Sequence, residues 1–140
     1  TNLSLLDISN NAIERIKNRL GAKGENINFI VLDVLNFKTE FTFDVWHDRA
    51  SFHFLTSEND IATYQKLVSN AIKENGYLFL GTFSENGPIK CSGLEITQYS
   101  EDKFENVFGD NFQKINCFTQ NHQTPFDTMQ NFIFCTFKKK

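Results

Sequence analysis

Three short apolar segments of this chain each end on a residue with a carboxylate side chain. These segments restrict the folds that the chain can adopt. The segments run from Leu3 to Asp7, from Phe29 to Asp33 and from Phe43 to Asp48. The first two are separated by apolar residues at helical spacing, so strand and helix alternate. This alternation predicts an α/β fold built on a doubly wound, mostly parallel sheet. Such a sheet binds its ligand at the carboxyl ends of its strands, where a carboxylate accepts hydrogen bonds from ribose hydroxyls or an adenine amine.

The rest of the chain continues the same pattern and then changes it. Ser9 and Ser100 are placed to cap the first and third helices, Thr56 and Ser57 precede the second in a capping-box arrangement, and we expect that helix to end at Gly76. Tyr77 to Phe83 is an uninterrupted apolar run, as buried parallel strands require. Two further strands follow the third helix without a helix between them, from Phe112 to Thr119 and from Asn131 to Phe137. These two are most simply an antiparallel pair that closes the sheet.

Size, charge and cysteine content exclude several classes of protein. The 140 residues suffice for a single domain, and a net charge of -3 disfavours nucleic acid as a partner. The cysteines Cys91, Cys117 and Cys135 are odd in number and lack the spacing of a zinc site, which indicates a reducing compartment without structural metal. No run of about 18 apolar residues is present, and the start lacks the order of a signal peptide. We therefore expect a cytoplasmic protein that neither spans nor binds a membrane.

The acidic strand ends, taken in order, resemble those of the class I S-adenosylmethionine-dependent methyltransferases. The residues that carry the likeness are Leu5-Leu6-Asp7-Ile8-Ser9, Val31-Leu32-Asp33-Val34, the stretch from Phe43 to Phe52, and Gly76-Tyr77-Leu78-Phe79-Leu80. The stretch with Trp46, Asp48 and Arg49 is most similar to small-molecule enzymes of the thiopurine methyltransferase type. The closing pair of strands resembles the family's antiparallel hairpin. The likeness therefore implies methyl transfer from S-adenosylmethionine to a small-molecule acceptor.

The resemblance also assigns roles to individual residues of the cofactor site. Asp7, followed by Ile8, would bind the ribose hydroxyls. Asp33 would face the adenine amine while Val34 packs on the ring. Asp48 and Arg49 would lie beside the methionine portion of the cofactor.

For the acceptor side the resemblance indicates three residues and no catalytic group. Phe52 would close over the reactants, and Cys91 and Tyr99 lie where the family often builds its acceptor pocket. His47 and His53 are candidates for a general base. Positioning supplies much of the rate of methyl transfer, so no nucleophile and base pair is required.

Each of these residues also has a purely structural interpretation. Asp7 and Asp33 are also typical of carboxylates that stabilise a turn or cap a helix. Asp48 and Arg49 are placed to form an ion pair at a strand end. Phe52 suits an aromatic core, Cys91 a buried core thiol, and the two histidines suit structural positions.

One part of the family pattern is absent from these residues. The family's first strand, its glycine-rich loop and its first helix have no counterpart, because the glycines Gly21 and Gly24 follow a helix and do not open one. In the family's sheet that strand lies between the second and the fourth, ~4.8 Å from each. We therefore expect a domain that is incomplete at its N-terminal side. Two alternatives stay open, namely a non-catalytic interaction module completed by a partner chain and a nicotinamide-dependent oxidoreductase.

Overall fold

The computed structural model describes residues 2–140. They form two compact units, of which the first ends at Lys38 and the second begins at Thr39. In the described part of the chain, no helix is both long enough and apolar enough to cross a membrane.

The first unit is one strand-helix-strand motif. Strand β1 (Leu3–Asp7) is followed by helix α1 (Asn10–Leu20) and strand β2 (Ile27–Val31). The two strands pair in parallel, as a helical crossover requires. The Ser9 hydroxyl accepts the Ala12 amide at 3.2 Å, which confirms the predicted cap of α1.

The second unit contains the remaining elements. In chain order they are β3 (Phe43–Arg49), α2 (Glu58–Ala71), β4 (Ile72–Phe83), β5 (Lys90–Cys91), β6 (Leu94–Glu95), α3 (Glu101–Phe108), β7 (Phe112–Gln123) and β8 (Met129–Lys139). Four of the strands form one sheet in the order β3-β4-β8-β7. β3 and β4 are parallel, whereas β8 is antiparallel to both β4 and β7. The α/β class and the closing antiparallel pair are thus confirmed.

Helix α2 ends earlier than its sequence predicts. It stops at Ala71 instead of Gly76, and Ile72 is already extended and pairs with Phe43. The ammonium group of Lys139 donates to the carbonyl oxygens of Ser69 and Ile72, at 2.6 and 3.0 Å. A cation from a distant strand therefore satisfies carbonyl groups at the end of α2. The sequence had instead predicted that the helix ends at a local glycine.

The core of the second unit is aromatic and lies between the sheet and helices α2 and α3. Phe52 is at its centre, with ring centroids 4.7 Å from Tyr64, 5.0 Å from Tyr99 and 5.5 Å from Phe108. Phe104 and Phe108 of α3 extend the cluster to Phe137 of β8. Aromatic rings bury large areas and attract each other edge to face, so this cluster anchors both helices to the sheet.

A disulfide joins β7 and β8. Cys117 and Cys135 are directly opposite each other in the register of the two strands and are bonded. The number and spacing of the cysteines indicated a reducing compartment, in which this bond is not expected. The cytoplasmic location stays a prediction.

Candidate functional site

The first unit places two acidic side chains at one edge of its sheet. Asp7 is the last residue of β1, and Asp33 follows β2 by two residues. Because the strands are adjacent and parallel, their carboxyl ends meet at the same edge, where the Leu32 amide donates to the Asp7 carbonyl at 3.1 Å. The structure therefore brings together the two carboxylates that the sequence assigned to ribose and adenine.

Each carboxylate uses one oxygen to hold its own turn. Oδ1 of Asp7 accepts the Ser9 amide at 2.7 Å, and Oδ1 of Asp33 accepts the Leu35 amide at 2.9 Å. Among residues 2–140 the Oδ2 atom of neither side chain has a hydrogen-bond partner. These carboxylates are turn residues, as the structural interpretation predicted, and each still has an acceptor oxygen for a ligand.

Apolar side chains accompany both carboxylates. Ile8 follows Asp7 and is 71% exposed, although a large apolar side chain is normally buried. Val34 follows Asp33 and is half-buried. This edge therefore offers hydrogen-bond acceptors for hydroxyl or amine groups beside apolar surface for a flat ring.

Asp48 at the end of β3 is in a different environment. Its carboxylate is only 7% exposed. Oδ2 accepts the Tyr64 hydroxyl at 2.6 Å, and Oδ1 accepts the amides of Ser51 and Phe52 at 3.2 and 3.1 Å. Burial raises the pKa of Asp48, while the hydrogen bond from Tyr64 acts in the opposite direction. Asp48 thus fixes the loop that follows β3.

Arg49 does not pair with Asp48. Its side chain is exposed and its guanidinium lies 5.7 Å from the centre of the Phe132 ring. No carboxylate of the described residues forms an ion pair with it, so the interpretation of Asp48 and Arg49 as a structural ion pair is wrong. Ala50, the next residue, has a φ of 58° and donates its amide to the Gly81 carbonyl at 2.7 Å.

Three buried polar side chains of the second unit, those of His53, Ser69 and Tyr99, lack hydrogen-bond partners among the described residues. Neither ring nitrogen of His53 nor the hydroxyl of Tyr99 has one among the described residues. His53 stacks on Phe83 with ring centroids 5.0 Å apart, and burial lowers the pKa of its imidazole to about 4. Burial likewise raises the pKa of Tyr99. Both groups are therefore neutral at pH 7.

A groove of about 340 Å³ opens beside Tyr99 in the second unit. Polar side chains predominate along it, among them Ser84, Asn86, Ser100 and Thr119. Two acceptor-side predictions lie elsewhere. Phe52 is entirely buried in the aromatic core, and Cys91 lies in the small β5–β6 hairpin with a partly exposed, unbonded thiol.

Sequence reasoning missed Tyr64 as a partner of Asp48. The helical spacing of α2 marks Tyr64 as a core residue, and it is fully buried. Its hydroxyl also accepts the indole N–H of Trp46 at 3.1 Å. The sequence contains one signal for this pair, because a buried tyrosine hydroxyl normally has a hydrogen-bond partner. Tyr64 is on the buried face of the helix that follows the strand ending with Asp48.

Comparison with known proteins supports the fold. No protein-family model matches the chain. Over 86 residues it is 27% identical to malonyl-[acyl-carrier protein] O-methyltransferase 2 of Ilyobacter polytropus, a match that covers 61% of this chain and 32% of that protein. The matched part is thus about a third of the length of this curated relative.

Solved structures agree over nearly all of the chain. The N-methyltransferase NodS from Bradyrhizobium japonicum WM9 superposes with a TM-score of 0.78 at 17% identity, covering 98% of this chain and 72% of NodS. TehB from Haemophilus influenzae superposes with a TM-score of 0.76 at 12% identity, covering 98% of this chain and 49% of TehB. The chain has the class I S-adenosylmethionine-dependent methyltransferase fold. In this methyltransferase fold, Asp7 and Asp33 occupy strand ends at the edge where the ligand was predicted.

Proposed function

We propose that this chain is the larger part of an enzyme that transfers a methyl group from S-adenosylmethionine to a small-molecule acceptor. The observation that carries the proposal is the pair of carboxylates at the ends of β1 and β2, each with one oxygen still available. The malonyl-[acyl-carrier protein] O-methyltransferase likeness and the NodS structure with bound S-adenosylhomocysteine support the same reaction.

The residues of the first unit suit the nucleoside part of the cofactor. Asp7 would accept hydrogen bonds from the two ribose hydroxyls, and Asp33 one from the adenine amine. Ile8 and Val34 would supply apolar surface for the ring. S-adenosylmethionine itself supplies an activated methyl group, so the protein has to bind, orient and exclude water.

The second unit supplies a fixed loop and a polar groove. Asp48 would act by fixing the loop that follows β3, beside Arg49, whose guanidinium has no carboxylate partner among residues 2–140. An arginine of this kind suits a carboxylate, such as that of the cofactor's methionine portion. Tyr99 and the groove beside it would contact the acceptor, with the ring of Phe52 packed against Tyr99, and Cys91 of the β5–β6 hairpin stays a predicted acceptor-side residue.

We also propose that residues 1–140 belong to one domain that needs a further strand, a glycine-rich loop and a helix outside this chain. In the first unit β1 and β2 each have one strand partner among the described residues, and in the second unit the parallel strand β3 also has one. Reading the coding DNA upstream of the Thr1 codon tests this part directly. An in-frame apolar strand followed by a glycine-rich turn is the expected result.

Titration calorimetry with S-adenosylhomocysteine tests the cofactor assignment on the full-length polypeptide. Asp7→Asn keeps the oxygen that accepts the Ser9 amide but removes the charge. We expect it to weaken binding by on the order of 1–3 kcal/mol, because charge-assisted hydrogen bonds to the ribose are lost.

Ser9→Ala is the matched control, since it removes the helix cap and leaves the carboxylate intact. We expect it to lower the stability of α1 and to leave binding within a factor of two or three of the original protein. Equal losses of affinity in both variants would mean that Asp7 stabilises the turn and does not bind the ribose. A full-length protein that does not bind the nucleoside at all would favour the non-catalytic interaction module.

A further inference from the structure

The disulfide between β7 and β8 lies at the wall of the groove beside Tyr99. Cys117 and Cys135 are directly opposite each other, and β7 is an edge strand whose one strand partner within residues 2–140 is β8. Cys117 is among the residues that line the groove, together with Thr119, which follows it on the same face of β7. The bond therefore borders a space that a small molecule can enter.

The two cysteines of this bond differ in access. Cys117 is half-buried and lines the groove, whereas Cys135 is 2% exposed. On its other side Cys135 is opposite Leu80 of β4, which is also buried. A thiolate that attacks the disulfide from solvent therefore reaches the sulfur atom of Cys117 and not that of Cys135.

The groove suits a small polar molecule that carries a thiol. Its volume of about 340 Å³ is near the lower end of the roughly 300–1,000 Å³ of small-molecule sites. The side chains of Asn86 and Thr119 line it and have no hydrogen-bond partner among residues 2–140. Their amide and hydroxyl groups are therefore available to the amide and carboxylate groups of a peptide-like ligand.

Charge does not exclude an anionic thiolate from the groove. Two glutamates line it, but Glu85 is paired with Lys103 at 2.9 Å and Glu101 is paired with Lys114. Each carboxylate thus has a cation beside it, which offsets its repulsion of an approaching anion.

The cysteine content indicates that the bond is not a permanent cross-link. The odd number and wide spacing of the cysteines are typical of a reducing compartment. Disulfides in such a compartment are mostly transient and take part in catalysis or redox sensing. A disulfide with one accessible cysteine at the wall of a groove therefore favours thiol–disulfide exchange.

We propose that Cys117 is a site of reversible S-thiolation, at which a low-molecular-weight peptide thiol of the glutathione type enters the groove and opens the bond to Cys135. The thiolate of the small molecule forms a bond to Sγ of Cys117, and the protein disulfide breaks with its electron pair on Sγ of Cys135. Cys135 then takes up a proton, because buried surroundings disfavour a charged thiolate. A second small thiol that attacks the mixed disulfide releases the symmetric disulfide of the small molecule and leaves two protein thiols.

The modification itself does not depend on methyl transfer. Its consequence rests on the proposed function, because the bound thiol would occupy the groove that is assigned to the acceptor. The thiolated protein would then lose acceptor binding and keep its affinity for the cofactor.

The test treats the disulfide-bonded full-length polypeptide with reduced and oxidised glutathione in graded ratios, without denaturant. Free thiols are then blocked with N-ethylmaleimide, and peptide mass spectrometry locates the products. We expect one glutathionyl group on Cys117 and a blocked thiol on Cys135 in the same molecules. Titration with S-adenosylhomocysteine on the same samples reports the cofactor site separately, so failure of this proposal is distinguishable from failure of the proposed function.

Two tryptophan variants test the groove as the route of attack. Thr119→Trp fills the groove next to Cys117 and should slow the exchange by about tenfold, since access of the thiolate controls its rate. Gln120→Trp is the matched control, because this exposed residue follows on the same strand, projects from the other face and is not part of the groove. We expect its exchange rate to equal that of the original protein.

Three serine variants test the choice of sulfur. Cys135→Ser leaves Cys117 as a thiol at the groove, and Cys117 should then take up one glutathionyl group from oxidised glutathione. In Cys117→Ser we expect Cys135 to stay unmodified until the protein is unfolded in urea. Cys91→Ser should change neither the site nor the rate of the exchange.

A bond that resists every ratio of glutathione in the native protein and opens only in urea would make the disulfide a structural cross-link and overturn the proposal. An adduct on Cys135 or Cys91 with Cys117 unmodified would also overturn it, as would equal exchange rates in the two tryptophan variants. A polypeptide isolated with Cys117 and Cys135 as free thiols should form the same adduct with oxidised glutathione, and absence of that adduct would contradict the proposal.

Discussion

The two compact units differ in where they keep their apolar side chains. Within residues 2–38, Ile13 is the one side chain that is fully buried, and Leu3, Ile8 and Val31 are exposed. The second unit buries a contiguous aromatic core around Phe52. The unit that carries the two carboxylates proposed to bind the cofactor therefore has little core of its own, and we expect the unit with the core to hold most of the stability. The proposed binding groups and the stabilising groups are thus segregated along the chain.

Truncation of an aromatic side chain in the core of the second unit should have the largest effect on the free energy of unfolding. Phe52→Ala should lower the free energy of unfolding by about 3–5 kcal/mol, because a fully buried ring is replaced by a cavity. Phe29→Ala in the partly exposed β2 should cost less than half as much. Urea unfolding followed by circular dichroism measures both, and equal losses would mean that the first unit has a core of its own.

Reduction of the disulfide should affect the second unit alone, because residues 2–38 contain no cysteine. The bond closes a loop with a sequence separation of 18, for which a chain-entropy model gives about 3 kcal/mol. Thermal unfolding with and without a reducing agent checks this, and Cys117→Ser should reproduce the reduced protein. Cys91→Ser is the control, and a shift in that variant would point to a different pairing.

Protonation of His53 should make the second unit sensitive to acid. Its folded pKa of about 4 lies below the ordinary value of 6.5, so between these values the unfolded chain binds more protons. Stability should therefore be fully present above pH 6.5 and be lost as the pH falls toward 4. The pH dependence of urea unfolding tests this.

His53→Phe is the variant that isolates the effect, because it keeps a ring against Phe83. We expect its stability to change less with pH over that window than the stability of the original protein. An identical pH dependence in the two proteins would show that other groups control the acid response.

Loss of a helix cap should have the smallest effect on stability. It also allows a direct comparison of the two units, because each has a helix capped by a serine. Ser9 caps α1 and Ser57 caps α2, with hydroxyl to amide distances of 3.2 and 3.1 Å. Ser57→Ala should lower the free energy of unfolding by about 1 kcal/mol. Ser9→Ala should instead increase local amide hydrogen exchange in α1, since that helix is anchored by little besides Ile13. Hydrogen exchange read by mass spectrometry distinguishes the two, and similar global losses would contradict the segregation.

Features set by neighbouring residues were predictable from the sequence. The caps at Ser9 and Ser100 were predicted and are confirmed, and of Thr56 and Ser57 it is Ser57 that caps the second helix, because a capping hydroxyl bonds an amide three residues away. The alternation of elements and the closing pair were equally readable, since they depend on the period of the apolar pattern.

Features set by distant residues were not predictable. The end of α2 depends on Lys139, which lies 70 residues beyond Ser69. The disulfide depends on the register of β7 against β8, and a shift of one residue would separate Cys117 from Cys135. At the candidate site, the sequence indicated Asp7 and Asp33. The hydrogen bond from Tyr64 to Asp48 was not predictable, because it forms only when α2 packs against β3.

The position of β8 also sets the order in which this protein acquires its structure during synthesis. β8 is inserted between β4 and β7 although it follows both in the chain. β4 therefore keeps an open edge while more than 40 residues are added after Phe83, and β7 has no strand to pair with until β8 follows it. At translation rates of roughly 5–20 residues per second this exposure lasts for seconds. The aromatic residues of both strands are then accessible to chaperones and to neighbouring nascent chains, and the sheet assembles only when its central strand emerges.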